Sequence, residues 1–129
     1  MTALSPTKPS LLQSAQIELG RFFQLFAEGV KGLNMPSRLI DSIWHKLYTD
    51  PAKYQNFCKE HGGVVVGHSP AKGEGAIHWI HEYEKRFGQL HPVWFMDDQG
   101  NLDENAYHEY LTTGEWTRAS WDCTPGKHE

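Results

Sequence analysis

Apolar residues in the first half of the chain recur at steps of three and four, the spacing of one face of an α-helix. The first such stripe follows Ser10 and consists of Leu12, Ala15, Leu19, Phe22, Phe23, Phe26 and Val30. Two further stripes lie at Leu39, Ile40, Ile43, Trp44 and Leu47, and at Tyr54, Phe57, Cys58 and His61. The pattern therefore predicts three amphipathic helices, the second over residues 37–49.

Residues with turn chemistry separate these helices. Asp50-Pro51 combines an N-cap residue with proline in the first helical turn, so it ends the second helix and begins the third. Gly62-Gly63 closes the third helix, and the β-branched run Val64–Val66 predicts a small strand. Residues 67–70, Gly-His-Ser-Pro, then predict a turn out of that strand.

The second half of the chain predicts shorter elements. They are a helix over residues 75–87, an extended segment at 91–96, a turn at 97–101 and a short helix around 106–111. Trp116 and Trp121 are expected to fold back on the body, because large rings are costly to leave in water.

The expected fold class is mainly α, or α+β with a small β element, in a compact helical domain built on a helical hairpin. Residues 1–9 are expected to form a flexible N-terminal tail, and residues 10–129 a single globular domain.

Composition narrows the function classes. The 129 residues are 39% hydrophobic and 22% charged, which excludes a disordered, fibrous or membrane-spanning chain. The 16 acidic residues outnumber the 12 Lys and Arg, so there is no basic footprint for nucleic acid or for a membrane surface. The two cysteines form no Cys-x-x-Cys pair and the N-terminus has no signal-peptide pattern, so a reduced cytoplasmic protein is expected.

Histidine is the unusual component. There are 8 His against 6 Phe, 5 Trp and 5 Tyr, which invites metal or acid–base chemistry. Asp41 and His45 are four positions apart and share one helix face. A strand returning along the hairpin would bring His68 to the level of His45. One carboxylate and two imidazoles suit Zn or Fe(II), so Asp41, His45 and His68 are the predicted ligands of a divalent transition metal.

Other side chains are additional candidates for the same site: His61, His78, His81 and Cys58. Each also has a structural interpretation. His61 suits a helix C-terminus, and Cys58 suits a small core residue. His78 and His81 suit a solvated helix face. The pair of Asp41 and His45 would equally serve as a buried structural hydrogen bond beside Trp44.

Residues 41–70 resemble the core motif of the glycine-rich domain-containing protein-like family. The matching positions are Asp41, Trp44 and His45, then Tyr54, Phe57 and Cys58, then Gly63, and finally His68 and Pro70. Residues 82–95 resemble the Tyr-x-x-x-Phe-Gly element that follows in that family. The resemblance covers about residues 36–95 and implies a shared domain, with no enzymatic activity assigned.

Two hypotheses follow. The first is a metal-binding protein, or a small metal-dependent enzyme acting on a small-molecule substrate, that uses the Asp/His/His cluster. The second is a non-catalytic protein-interaction module in which the same residues are structural. In the second, exposed aromatic residues would bind a protein partner, and the candidates are Trp79, Trp94 and Trp116.

Overall fold

The computed structural model describes residues 10–127 and contains five α-helices, a 3₁₀ helix and two strands within that range. In chain order they are α1 (Leu11–Ala27), α2 (Arg38–Tyr48), α3 (Pro51–Glu60), β1 (Val66–Gly75), α4 (Ile80–Phe87), the 3₁₀ helix (Pro92–Phe95), α5 (Glu104–Thr113) and β2 (Ala119–Lys127). The predicted mainly helical α+β class is confirmed. The predicted tail at residues 1–9 lies outside the described residues.

Helix α1 forms the centre of the core. The Ser10 hydroxyl accepts a hydrogen bond from the backbone N–H of Gln13, and the Gln13 side-chain oxygen accepts one from the backbone N–H of Ser10. This reciprocal cap fixes where the helix begins. Phe22 and Phe23 are fully buried and their rings meet Trp44 edge-on. The middle of the predicted stripe is therefore the buried face, whereas Leu12 is 57% exposed and Val30 lies beyond the end of α1.

The hairpin of α2 and α3 forms where the sequence predicts it. Ser37 caps α2, and Asp50 caps α3 by accepting from the backbone N–H of Lys53. The indole N–H of Trp44 donates to the Tyr54 hydroxyl at 3.0 Å, and that hydroxyl donates to the carbonyl of Val66. This buried chain of hydrogen bonds joins the hairpin to the start of β1.

The sheet consists of β1 and β2, which pair antiparallel with His68 opposite Pro125 and Pro70 opposite Cys123. The prediction of a strand at Val64–Val66 and a turn at residues 67–70 is wrong, because the strand begins at Val66 and continues through that segment. A register shift between Pro70 and Gly73 interrupts the ladder. A Cβ at Gly73 would lie 2.6 Å from the Trp121 ring, so glycine permits this close approach.

Two other predicted elements differ from the structure. The segment at 91–96 is a 3₁₀ helix over Pro92–Phe95 instead of an extended strand, since Pro92 fixes a helical φ at its first position. The fourth helix begins at Ile80, later than the predicted residue 75, because β1 extends to Gly75. The expectation for Trp116 and Trp121 is confirmed, since Trp116 is buried and Trp121 packs against the core.

The length and apolarity of the helices bear on membrane association. Within residues 10–127, no helix combines the length and the apolar character that crossing a bilayer requires.

Candidate metal centre

Asp41 is the centre of a cluster of metal-ligand side chains. Its Oδ1 accepts a hydrogen bond from the Cys123 thiol at 3.0 Å and lies 3.4 Å from His68 Nε2. Its Oδ2 lies 3.4 Å from His45 Nε2. The ligand atoms of Asp41, His68 and Cys123 all lie within 4.8 Å of one another.

Three elements position these side chains. Helix α2 carries Asp41 and His45 four residues apart, which places them one turn apart on the same face. Strand β1 carries His68, and strand β2 carries Cys123 opposite Pro70. Since alternate residues of a strand share a face, the register puts His68 and Cys123 on the same face of the sheet. That face lies against α2, and the cluster forms between them.

Aromatic rings from α2 hold His68 in place. The His68 ring lies edge-on to Trp44 with 4.5 Å between centroids, and 4.3 Å from the His45 ring. Tyr48 approaches the other side at 5.8 Å. A ring fixed by packing keeps its Nε2 aimed at Asp41, and such preorganisation of ligands favours metal capture.

The side chains of the cluster differ in their exposure to solvent. Cys123 is 1% exposed, whereas the side chains of His68 and Asp41 are 13% and 18% exposed. The His45 side chain is 61% exposed, so the interpretation of His45 as a buried structural group is wrong. The thiol therefore lies on the inner side of the cluster and the His45 imidazole on the solvent side.

Burial raises the pKa of the Cys123 thiol, and the hydrogen bond and negative charge of Asp41 raise it further. The thiol donates its hydrogen bond to this carboxylate, and within residues 10–127 no hydrogen bond joins it to an imidazole. A cysteine nucleophile needs a lowered pKa and a neighbouring base. The geometry therefore favours Cys123 as a ligand that gives up its proton to a metal, instead of as a nucleophile.

Two distances in the cluster, each to a different oxygen of Asp41, lie in the range expected for ligands of a tetrahedral ion. Ligand atoms at about 2.0–2.3 Å from a zinc ion lie about 3.3–3.8 Å from one another. The two distances of 3.4 Å from imidazole nitrogen to carboxylate oxygen fall in that range. The distance of 3.0 Å from the Cys123 sulfur to Asp41 is shorter because a thiol proton is shared there, and replacing that proton with a metal would lengthen it by about half an ångström.

The additional candidates lie elsewhere. His61 packs on α1, where a Cβ at Gly20 would lie 2.4 Å from its Nδ1. Cys58 is fully buried in the core, where burial raises its pKa. His78 is exposed in the turn before α4, and His81 lies 3.3 Å from Glu115 at the surface. The structure thus brings together the three predicted ligands Asp41, His45 and His68, and places none of these four beside them.

The predicted partner-binding residues are also placed differently. Trp79, Trp94 and Trp116 are all buried. The indole N–H of Trp79 donates to Asn34 and that of Trp94 donates to Glu18. The expectation that these aromatic residues are exposed is wrong, because they form the core around α1 and the 3₁₀ helix.

Cys123 is the residue that sequence reasoning missed. Its local sequence, Trp-Asp-Cys-Thr-Pro, has the alternation of a strand, with Trp121 and Cys123 on one face. This alternation predicts a strand but does not show which strand it pairs with. It therefore could not place the Cys123 thiol beside Asp41.

A narrow cleft reaches Asp41 from the surface. It is lined by Met35, Pro36, Ser37, Arg38, Asp41, Ser120, Trp121 and Asp122. Asp41 lines this cleft beside the beginning of α2 and β2, and its side chain is 18% exposed.

Comparisons with known proteins give the family and no function. A search of curated proteins found no significant match, and a search of solved structures found none. Nothing in them bears on the glycine-rich domain-containing protein-like family, so that resemblance stays a prediction. The sequence profile of the UCP032817-like family matches residues 5–78, which is more than half of the chain and includes Asp41, His45 and His68. The protein belongs to the UCP032817-like family.

Proposed function

We propose that the protein binds a divalent transition metal, Zn²⁺ in preference to Fe²⁺, through Asp41, His68 and Cys123, with His45 as the fourth ligand. One observation carries the proposal: ligand atoms from α2, β1 and β2 lie within 4.8 Å of one another. Structural zinc sites are built from such sulfur, nitrogen and carboxylate ligands in a tetrahedron.

The sulfur atom decides between the two metals. An imidazole–imidazole–carboxylate set alone suits Fe²⁺ as well as Zn²⁺. A thiolate at the same carboxylate adds a soft donor, which Zn²⁺ accepts in closed four-ligand sites. Cys123 therefore shifts the preference from iron to zinc.

The exposed imidazole decides the kind of site. With His45 bound, four protein ligands close the coordination sphere, and the metal would tie α2 to both strands. Without His45, water would take the fourth position, which is the arrangement of catalytic zinc. The His45 Nε2 lies 3.4 Å from Asp41 Oδ2, outside the group of ligand atoms within 4.8 Å of one another. Because its ring is mostly exposed, a side-chain rotation toward the metal would close the site, and this is the arrangement that we propose.

The proposed site is tested by metal content. Protein purified without a histidine tag and loaded with zinc should retain about one Zn²⁺ per chain after desalting, measured by mass spectrometry of the metal. Cys123→Ala and His68→Ala should lower the retained zinc to background, because each removes a ligand. His45→Ala should weaken binding less if water replaces the imidazole.

Matched controls exist for both ligand types. Cys58→Ala removes a buried thiol, and His78→Ala removes an exposed imidazole, and neither lies in the cluster. Both should retain the wild-type zinc content. Substoichiometric zinc in the wild type, or equal loss in the controls and the cluster variants, would overturn the proposal. Far-UV circular dichroism of each variant shows whether it has folded.

The same cluster has a structural interpretation that the experiment separates. Asp41 joins α2 to β1 and β2 through His68 and Cys123 even as a hydrogen-bond acceptor. If bracing were its whole role, a chelator would leave the melting temperature unchanged. If zinc binds, stability should rise with zinc concentration, because the ion binds the folded state.

A further inference from the structure

A second feature suited to a ligand is a cavity of about 260 Å³ at the beginning of α2. Its walls come from the 3₁₀ helix, the turn before α5 and the first residues of β2. It is lined by Pro36, Arg38, Trp94, Phe95, Met96, Asp97, Asn101, Leu102, Asp103, Trp116, Arg118, Ala119 and Ser120. Binding pockets for small molecules usually occupy roughly 300–1,000 Å³, so this one suits a compact ligand.

The cavity has an apolar wall formed by Met96 and Leu102, which are half-buried and joined by an isolated β-bridge. Phe95 and Trp116 also line the cavity but are only 3% and 5% exposed. The Phe95 ring packs on Trp116 at 4.2 Å and on Tyr110 at 5.5 Å between centroids, so these rings are used within the core. Met96 and Leu102 offer an apolar contact, so the ligand is expected to carry a small apolar part.

The two carboxylates of the cavity are already used by the backbone. Asp97 accepts from the backbone N–H groups of Gln99 and Asn101, which lowers its pKa. Asp103 caps α5 by accepting from the backbone N–H of Ala106. Their negative charge is therefore partly balanced within the fold.

The two arginines of the cavity differ from its two carboxylates in their contacts. Within residues 10–127, the guanidinium groups of Arg38 and Arg118 make no hydrogen bond and no salt bridge. Both residues are exposed, and the charge of Arg38 contributes to the lowered pKa of Asp97. A guanidinium with open donors binds carboxylates in a charge-assisted, bidentate geometry.

We propose that this cavity binds a small carboxylate with an apolar part, which packs on Met96 and Leu102 while the carboxylate lies at Arg38 and Arg118. The site uses none of the side chains of the Asp41 cluster. Ligand binding in the cavity can therefore be tested independently of metal binding.

The test is a titration with benzoate, followed by the indole N–H signal of Trp116 in nitrogen–proton spectra. Trp116→Phe assigns that signal, and a chelator is present throughout so that no metal contributes. Benzoate should shift the signal saturably. Benzyl alcohol, which has the ring without the charge, should bind at least about tenfold more weakly.

Variants locate the charge that is recognised. Arg38→Ala and Arg118→Ala should each weaken benzoate binding at least about tenfold, because each removes a charge-assisted hydrogen-bond donor. Lys59→Ala removes one positive charge from the exposed side of α3 and should leave binding unchanged. Absence of a shift, equal binding of benzyl alcohol, or unchanged affinity in both arginine variants would overturn the proposal.

Discussion

Two carboxylates of this protein each have three polar partners, and they do so in opposite surroundings. Glu18 is 2% exposed and accepts from the Tyr83 hydroxyl, from Trp94 Nε1 at 2.9 Å and from Arg21 at 3.1 Å. Asp41 lies at the edge of the core and faces a thiol and two imidazoles.

The two carboxylates differ in whether the side chains around them can bind a metal. Burial and the neighbouring Glu18 raise the pKa of Tyr83, so its hydroxyl stays a proton donor. Phenol, indole and guanidinium groups are not zinc ligands, whereas thiolate and imidazole are. The Glu18 network is therefore a structural link between α1, α4 and the 3₁₀ helix, whereas the Asp41 cluster consists of side chains that the proposed metal would bind.

Glu18→Ala should produce the largest change. It leaves the buried hydroxyl of Tyr83 and the buried indole N–H of Trp94 without their acceptor, and breaking a buried charged network costs about 3–5 kcal/mol. Urea denaturation followed by tryptophan fluorescence measures the loss. Zinc content of the folded variant should remain that of the wild type, and a loss below about 1 kcal/mol would remove the distinction between the two carboxylates.

The alkylation rates of the two cysteines should show an effect of intermediate size. Both are buried with raised pKa values, so iodoacetamide should react slowly with each in the folded protein. Saturating zinc should slow the alkylation of Cys123 at least about tenfold more than that of Cys58, because only Cys123 becomes a ligand. Peptide mass spectrometry measures both rates in one sample, and equal slowing of the two would place the metal elsewhere.

A third carboxylate should show the smallest effect. Hydrogen bonds from the backbone of Asn101 and Gln99 hold the pKa of Asp97 below its ordinary value of 3.8. Its contribution to stability is therefore present above that value and lost as the pH falls through the lower, folded pKa. The melting temperature of Asp97→Asn should be below that of the wild type at about pH 6 and converge with it toward about pH 2. A gap that stays constant with pH would contradict this account.

The helical part of the cluster was predictable because its geometry is local. The spacing of Asp41 and His45 follows from the helix period, and the Asp50-Pro51 turn fixes where the hairpin reverses. Only the return of His68 depended on a longer-range guess: the structure places its Nε2 3.4 Å from Asp41, but on a strand that begins at Val66, later than predicted.

The strands were harder to predict because each is stabilised by pairing with the other and has little strand preference of its own. Beyond Val66, β1 reads Gly-His-Ser-Pro-Ala-Lys-Gly-Glu-Gly, which has little intrinsic strand preference. Its pairing with β2 supplies the hydrogen bonds that the local sequence does not indicate. Cys123 was missed for this reason, and the buried tryptophans were misjudged because loop residues have no periodicity that reveals their environment.

The hydrogen bond from Cys123 to Asp41 joins positions 82 residues apart. Contacts of such long sequence separation form late in folding, since the entropy of closing the intervening loop must be lost first. The hairpin with Asp41 and His45 can form early, from neighbouring residues alone. Full ligand geometry therefore exists only in chains whose two strands have already joined, and metal uptake would report the completion of folding.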